Sequence, residues 1–193
     1  MKRCPSRINR GLIACMTLMS LVACATNADT YYARGRRALA ADQLNPASDA
    51  FHRAIEKDPK RGDAYFALGT IYLRQEKWST AANALREAGR LDPSLKHEAD
   101  PLLIKALYGE ARHALKMGKQ REAIDAFAEL YERTPDFPSL REQYAAALWR
   151  YGRAKVLRGD YIEGVSALQE IMRVQPDNTE ARKFLERHQF STD

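Results

Sequence analysis

The chain has 193 residues, 45% of them hydrophobic, with 31 Lys+Arg against 25 Asp+Glu and a formal net charge of +6. Four of the cations, Lys2, Arg3, Arg7 and Arg10, stand at the start; without them the count is 27 against 25, a balance that argues against the clustered basic surface of a nucleic-acid-binding protein. The three cysteines, Cys4, Cys15 and Cys24, also stand at the start, so no disulfide framework can hold the remainder and stability must come from packing, in a length that suits one domain or a short repeat array.

In chain order, the cationic head and the 13-residue, mostly apolar run from Gly11 to Ala23 have the layout of a signal peptide. The run is shorter than the roughly 20 residues a helix needs to cross a bilayer, so residues 1–23 are expected to be removed. Leu21, Val22, Ala23 and Cys24 resemble the lipobox of bacterial lipoproteins, where the cysteine becomes the acylated first residue of the mature chain. An ordinary secretory signal with a small-residue cleavage site is the alternative. The resemblance implies lipidation of Cys24. The following Ala25, in place of the aspartate associated with inner-membrane retention, implies an outer-membrane lipoprotein facing the periplasm. Residues 24–29 then form a lipidated cysteine and short tether. Its five residues from Ala25 to Asp29 reach about 17 Å at full extension, which would hold the next segment close to the bilayer.

The rest of the chain is rich in Ala, Leu, Glu, Lys and Arg, a composition that favours helices, and it repeats. Pro59 and Pro93 are 34 residues apart, and counting each as position 32 of a repeat aligns everything upstream without a gap. Residues 62–95 then place Tyr65, Leu68, Gly69, Tyr72, Ala81, Leu85, Ala88 and Pro93 at positions 4, 7, 8, 11, 20, 24, 27 and 32. This pattern resembles the tetratricopeptide repeat at each of its signature positions. Residues 28–61 match with Tyr31, Gly35, Ala38, Ala47, Phe51, Ala54 and Pro59, with Arg34 where a leucine is usual. Two further repeats end at Pro135 and Pro176. They carry Leu107, Ala111, Ala114, Ala123, Phe127 and Leu130, then Leu148, Gly152, Leu168 and Ile171. The last departs from the pattern with Lys155 and Gly164 at positions 11 and 20. Gly118 and Gly159 both fall at position 15, between the two helices of their repeats.

Small residues at positions 8, 20 and 27 let helices approach closely, while larger ones at 4, 7, 11 and 24 fill the space between; stacked neighbours complete the core. The extra residues before the third and fourth repeats, "KHEADPLLI" and "DFPSLREQY", read as longer first helices, with Pro101 and Pro138 in their first turns and Asp100 as a cap. The residues after Pro176 predict one more amphipathic helix, with Ala181, Phe184 and Leu185 on its buried face. The expected fold is all-α: a right-handed α-solenoid of about four helix-turn-helix repeats (about 28–61, 62–95, 98–137 and 138–178) within a domain of residues 30–193, closed by a capping helix at 178–190.

In tetratricopeptide proteins the first helix of each repeat lines a concave groove, with positions 2, 5, 9 and 12 facing it. Here position 5 is Tyr32, Phe66, Tyr108 and Trp149, and position 9 is Arg36, Thr70, Arg112 and Arg153. Residues four apart share a helix face, so an aromatic row flanked by guanidinium groups is expected, over Leu39, Leu73, Leu115 and Val156. Aromatics and arginine are enriched at binding hot spots, though the aromatics also serve packing. Arginine holds carboxylates bidentately, which points to an acidic peptide, a chain terminus or a helix as partner. The lysine of the family's cytosolic chaperone-binding clamp is not at position 5, so that partner is not implied.

Enzyme chemistry finds little support. His97 and Asp100 sit in a helix-start sequence, and Glu110 with His113 is half of a di-iron bundle motif without a second pair. There is no phosphate-binding loop, nucleophile elbow or His/Cys metal spacing, and no cofactor or metal is expected. The resemblance implies a non-enzymatic adaptor that binds a partner in pilus or secretion assembly, outer-membrane protein assembly or peptidoglycan machinery. A glycan-facing accessory, stacking exopolysaccharide or peptidoglycan on the aromatic row, is the alternative.

Overall fold

The structure, a computed structural model, describes residues 27–188; the expected signal peptide, the lipobox with Cys24 and the last residues of the expected cap lie outside them. Among the described residues there are helices and turns and no strand, which agrees with the all-α fold class. The chain forms two compact units, one ending at Asp100 and one beginning at Pro101. The N-terminal unit contains α1 (27–40), α2 (Leu44–Lys57), α3 (Gly62–Arg74), α4 (Trp78–Leu91) and a 3₁₀ turn, Pro93–Leu95. Then come α5 (Lys96–Lys116), α6 (Gln120–Arg133), α7 (Leu140–Leu157), α8 (Tyr161–Val174) and α9 (Thr179–Arg187).

Within each unit the repeat's small and large positions meet as the spacing predicts. Ala47, Phe51, Ala54, Ala64, Leu68 and Ile71 form a buried cluster in the N-terminal unit. In the C-terminal unit Leu107, Ala111, Ala123, Phe127, Leu130, Leu168 and Ile171 are fully buried. Arg34, the polar residue at position 7 of the first repeat, is exposed. The two departures in the last repeat have physical explanations. Gly152 on α7 and Gly164 on α8 face each other so closely that a Cβ on either would lie 2.9 Å from the other's carbonyl oxygen. Lys155 turns outward to pair with Asp160 at 3.1 Å and Glu163 at 3.0 Å.

Position 15 has the same backbone in all four repeats, at φ 58° in Asp42, 55° in Glu76, 74° in Gly118 and 88° in Gly159. At this left-handed residue the chain makes paired helix-ending bonds. Gln43, Lys77, Lys119 and Asp160 N–H groups donate to the carbonyls of Ala38, Tyr72, Ala114 and Lys155, at 2.9, 2.9, 2.9 and 3.0 Å. The glycines of the last two repeats thus mark a turn that the first two make with strained residues.

The prolines depart from expectation. Pro101 is inside α5 rather than in its first turn, and Asp100 is a helix residue rather than a cap. The reason lies upstream: Asp92 accepts a bond from the Ser94 N–H at 3.0 Å and caps the Pro93–Leu95 turn, which leads directly into α5 at Lys96. Pro101 is exposed, and without an N–H it leaves the helix one hydrogen bond short. The long first helix expected of the third repeat is present, at 21 residues. Pro138 lies outside any helix. Residues 134–139 form turns, with Phe137 N–H donating to Thr134 O and Leu140 N–H to Phe137 O, each at 3.1 Å. Ser139 is left-handed, and α7 starts at Leu140. The residue before a proline avoids helical geometry, so the insertion folds as a turn, yet α7 still runs 18 residues. On α9, Ala181, Phe184 and Leu185 are buried as predicted, and Asn178 caps the helix by accepting from Ala181 N–H at 3.0 Å.

Placing an L-side chain at a left-handed position costs about 1–2 kcal/mol. Gly118→Ala is therefore expected to lower, and Glu76→Gly to raise, the unfolding free energy by about 1 kcal/mol, measured by urea denaturation; shifts of the same sign at both sites contradict this account. Gly164→Ala should cost about 1–3 kcal/mol through overpacking, because the atoms it meets include the α7 backbone.

Candidate functional site

In the N-terminal unit, Tyr32 of α1 is half-buried, its ring 5.5 Å from that of Phe51. A second residue covers it: the Arg61 guanidinium lies 4.4 Å from the ring centroid. Arg61 is held there by Asp29 and by Asp63, 3.0 Å away, and only 17% of its side chain is exposed. Burial, and next the Asp63 carboxylate, raise the Tyr32 phenol above its ordinary pKa. Phe66 is also half-buried, and the Thr70 hydroxyl bonds back to the Phe66 carbonyl at 3.1 Å. Arg36 is exposed and forms no ion pair among the described residues.

In the C-terminal unit, Tyr108 of α5 stands 5.0 Å from the ring of Phe137, which the inserted turn carries. Gln143 Nε2, on the first turn of α7, donates to its hydroxyl at 3.1 Å. The Arg112 guanidinium, one helical turn along, lies 5.7 Å from the Tyr108 ring. Trp149 of α7 meets Phe184 of α9 edge to face at 5.4 Å. Arg112 and Arg153 are exposed, with no ion pair among the described residues. Each unit therefore presents the predicted pattern in altered form. Tyr32, Tyr108 and Trp149 are partly covered by aromatic neighbours, while the position-9 guanidiniums remain open to solvent.

Arg61, Phe137, Gln143 and Phe184 did not emerge from the repeat pattern. A signal for Arg61 existed: Asp29 and Asp63 both occupy groove-facing position 2 and call for a cation between them. Phe137 and Gln143 belong to the insertion, whose path no repeat register predicts. His97 is exposed at the start of α5, and Glu110 and His113 lie further along the same helix.

A second feature of the C-terminal unit lies among α6, α7 and α8. A cleft of about 380 Å³ has Ile124, Ala128, Leu148 and Ala167 in its walls, with Tyr144, Tyr151 and Glu170 among its polar groups. Tyr144 is 2% exposed and donates to Glu170 at 3.2 Å. Burial, followed by the Glu170 charge, pushes its phenol well above the ordinary tyrosine range. Glu170 pairs with Arg173 at 2.6 Å, whose guanidinium lies 5.3 Å from the Tyr131 ring. Tyr151 donates to Glu163 and accepts from Arg121 at 3.2 Å. With Asp125 held by Arg121, the carboxylates lining the cleft are all neutralised within the unit.

A family model described as tetratricopeptide repeat matches residues 28–95 and 108–171. Over 103 residues, 53% of the chain, the sequence is 31% identical to the general transcriptional corepressor ssn6 of Schizosaccharomyces pombe, of which it covers 9%. Over 171 residues, 83% of the chain, it is 26% identical to DnaJ homolog subfamily C member 3 of Homo sapiens, of which it covers 32%. The chain thus spans a third or less of the length of these curated relatives. Among solved structures, the C-terminal part of a TPR repeat-containing protein from Cytophaga hutchinsonii shares 17% identity at a TM-score of 0.42, over 83% of this chain and 60% of that one.

Packing and display residues should separate in stability measurements. Trp149→Ala is expected to cost roughly 2 kcal/mol by emptying the contact with Phe184, whereas Arg36→Ala and Arg153→Ala should stay within about 0.5 kcal/mol. Chemical denaturation of the three variants checks this, and a large loss at either arginine would assign it a structural task.

Proposed function

The chain belongs to the tetratricopeptide repeat family, and from that premise we propose that it is a non-enzymatic, lipid-anchored periplasmic scaffold. It binds a peptide segment or helix of a cell-envelope assembly partner along the position-5 and position-9 side chains of its repeats. One observation carries the reading: Arg36, Arg112 and Arg153 are exposed without an ion pair among the described residues and each stands one helical turn from a half-buried aromatic, Tyr32, Tyr108 or Trp149, a placement that other open arginines such as Arg158 lack. An open guanidinium beside a half-buried aromatic suits a carboxylate-bearing segment, which it can grip with two parallel bonds. The partner is therefore an acidic peptide or helix, from pilus or secretion assembly, outer-membrane protein assembly or peptidoglycan machinery. The anchor is the lipid on Cys24, supported by the four-residue lipobox resemblance, and it fixes the protein in the outer membrane. Sugar stacking ranks second, because Phe137 and Phe184 already contact the Tyr108 and Trp149 rings.

In cells, a photoreactive amino acid in place of Arg112 is expected to give a discrete adduct, identified by mass spectrometry, that the same probe at exposed Glu132 does not give. Arg112→Glu combined with Arg153→Glu should abolish that capture while leaving the helical circular dichroism unchanged; undiminished capture moves the partner surface elsewhere. Binding of glycan fragments, read as a shift in Trp149 fluorescence, would favour the polysaccharide reading instead. Separately, Cys24→Ala should retain the precursor size and lose incorporation of labelled palmitate. Palmitate labelling that survives this substitution removes the anchor from the reading and leaves the peptide site untouched.

A further inference from the structure

The large hydrophobic side chains that stand exposed among the described residues are concentrated in one place. Met117 (60% exposed), Leu157 (66%), Tyr161 (54%) and Ile162 (90%) all lie at two turns of the C-terminal unit, α5 to α6 and α7 to α8, each joining the two helices of a repeat. These turns share one edge: Arg121, in the first turn of α6, lies 3.8 Å from Glu163, in the first turn of α8. At the same positions, 13, 14, 17 and 18, the N-terminal unit has Ala40, Ala41, Leu44 and Asn45 in one repeat and Arg74, Gln75, Trp78 and Ser79 in the other, with Leu44 and Trp78 half-buried rather than exposed. The apolar tips of the C-terminal unit are more than half exposed and so add little to its core. Contiguous exposed apolar groups mark contact surfaces.

The charge at this edge has a sign. Glu122 pairs with Lys119, Asp125 with Arg121, and Asp160 and Glu163 with Lys155. Lys116 and Arg158 are exposed and, among the described residues, have no ion pair. Because Asp160 and Glu163 share Lys155, the five cations of this edge exceed its four carboxylates by one, and the two unbridged charges, Lys116 and Arg158, are both cationic and interleaved with aliphatic and aromatic tips.

We propose that this edge docks on an anionic lipid surface, with Leu157, Tyr161 and Ile162 entering the boundary between headgroups and acyl chains and Lys116 and Arg158 resting on the phosphates. Projecting side chains favour this occupant over a protein. Ile162 stands almost wholly free, and a rigid partner would need a matching pocket, whereas a bilayer interface deforms around it. Tyrosine, with an apolar ring and a polar tip, is suited to that boundary, and apolar insertion combined with cationic attraction is how monotopic proteins bind membranes. The inference goes beyond the peptide-binding reading and does not depend on acylation of Cys24.

The test uses the full chain carrying Cys24→Ser, so that no acyl chain contributes, with vesicles of phosphatidylglycerol and phosphatidylethanolamine and flotation as the readout. The apolar run at residues 11–23 is common to all variants, so differences between variants report the edge alone. Leu157→Ser combined with Ile162→Ser is expected to lower the partition coefficient ten-fold or more, given roughly ten-fold per large apolar side chain inserted. Lys116→Glu with Arg158→Glu should lower it several-fold, and more at low salt. All four sites are exposed, so helix content should not change. As a local readout, an Ile162→Trp chain should show fluorescence quenching by brominated acyl chains beyond that of the parent. Equal partition of all variants, or no added quenching, overturns the proposal. So does a photoreactive group at position 162 that captures a protein instead of lipid in cells.

Discussion

The two helices of a repeat pack closely because small side chains stand where they cross, and the architecture rests on that contact. Gly152 and Gly164 bring α7 and α8 close enough that each glycine's missing Cβ would fall on the other's carbonyl oxygen. In the third repeat Ala111 and Ala123, both fully buried, hold the same register positions. Close approach of this kind removes apolar surface from water over the whole helix face. Leu130, Leu168 and Ile171 then fill the space on either side. The left-handed turn at position 15 supplies the other half of the constraint, since its paired bonds close each first helix at the same point and start the second at a fixed offset. The chain adopts that turn with Asp42 and Glu76 as well as with glycine, so packing overrides local preference.

Once the helix faces are committed to one another, what is left outward decides function. Position 5 lies at the margin. Its aromatic rings are large enough to reach neighbours, and Tyr32, Tyr108 and Trp149 each find another aromatic ring. Position 9 lies one turn further along the same face, and at Arg36, Arg112 and Arg153 the side chain remains in solvent. Nature of partner and cost of display are linked at this point. An exposed guanidinium contributes little to stability, so its identity is free to be set by what it binds. Arg61 shows the contrasting outcome: a cation drawn between Asp29 and Asp63 becomes a cover for Tyr32 and is no longer open to a ligand.

The C-terminal unit satisfies its own carboxylates more fully than its cations. Glu163 illustrates how: the Tyr151 hydroxyl first, and then Lys155, hold its pKa below the usual carboxylate range, so it stays ionised and occupied. The cleft among α6, α7 and α8 is consequently lined with paired charges, while Lys116 and Arg158 at the turns are unpaired and flanked by apolar tips. A surface of that kind gains from contact with an anionic, deformable phase.

Much of this was legible in the sequence, because a 34-residue period records which positions meet: Gly69 and Leu85, or Ala111 and Ala123, are small or large for a reason that repeats. Helix number and the small-residue contacts follow from that period, the buried face of Ala181, Phe184 and Leu185 from the amphipathic pattern after Pro176, and the outward placement of Arg112 and Arg153 from the resemblance to the tetratricopeptide repeat. The non-periodic residues were not legible. Whether Pro101 starts a helix or sits inside one depended on Asp92 capping the turn before it, and where the turn of "DFPSL" would carry Phe137, beside the Tyr108 ring, depended on the packing of the helices around it. The partnering of Arg61, the buried Tyr144–Glu170 contact and the convergence of two turns into one apolar edge also join residues far apart in the chain, through distances that only folding sets. Periodicity encodes contacts between equivalent positions. Contacts between inequivalent ones exist only once the helices are packed, and so the tertiary structure alone decided them.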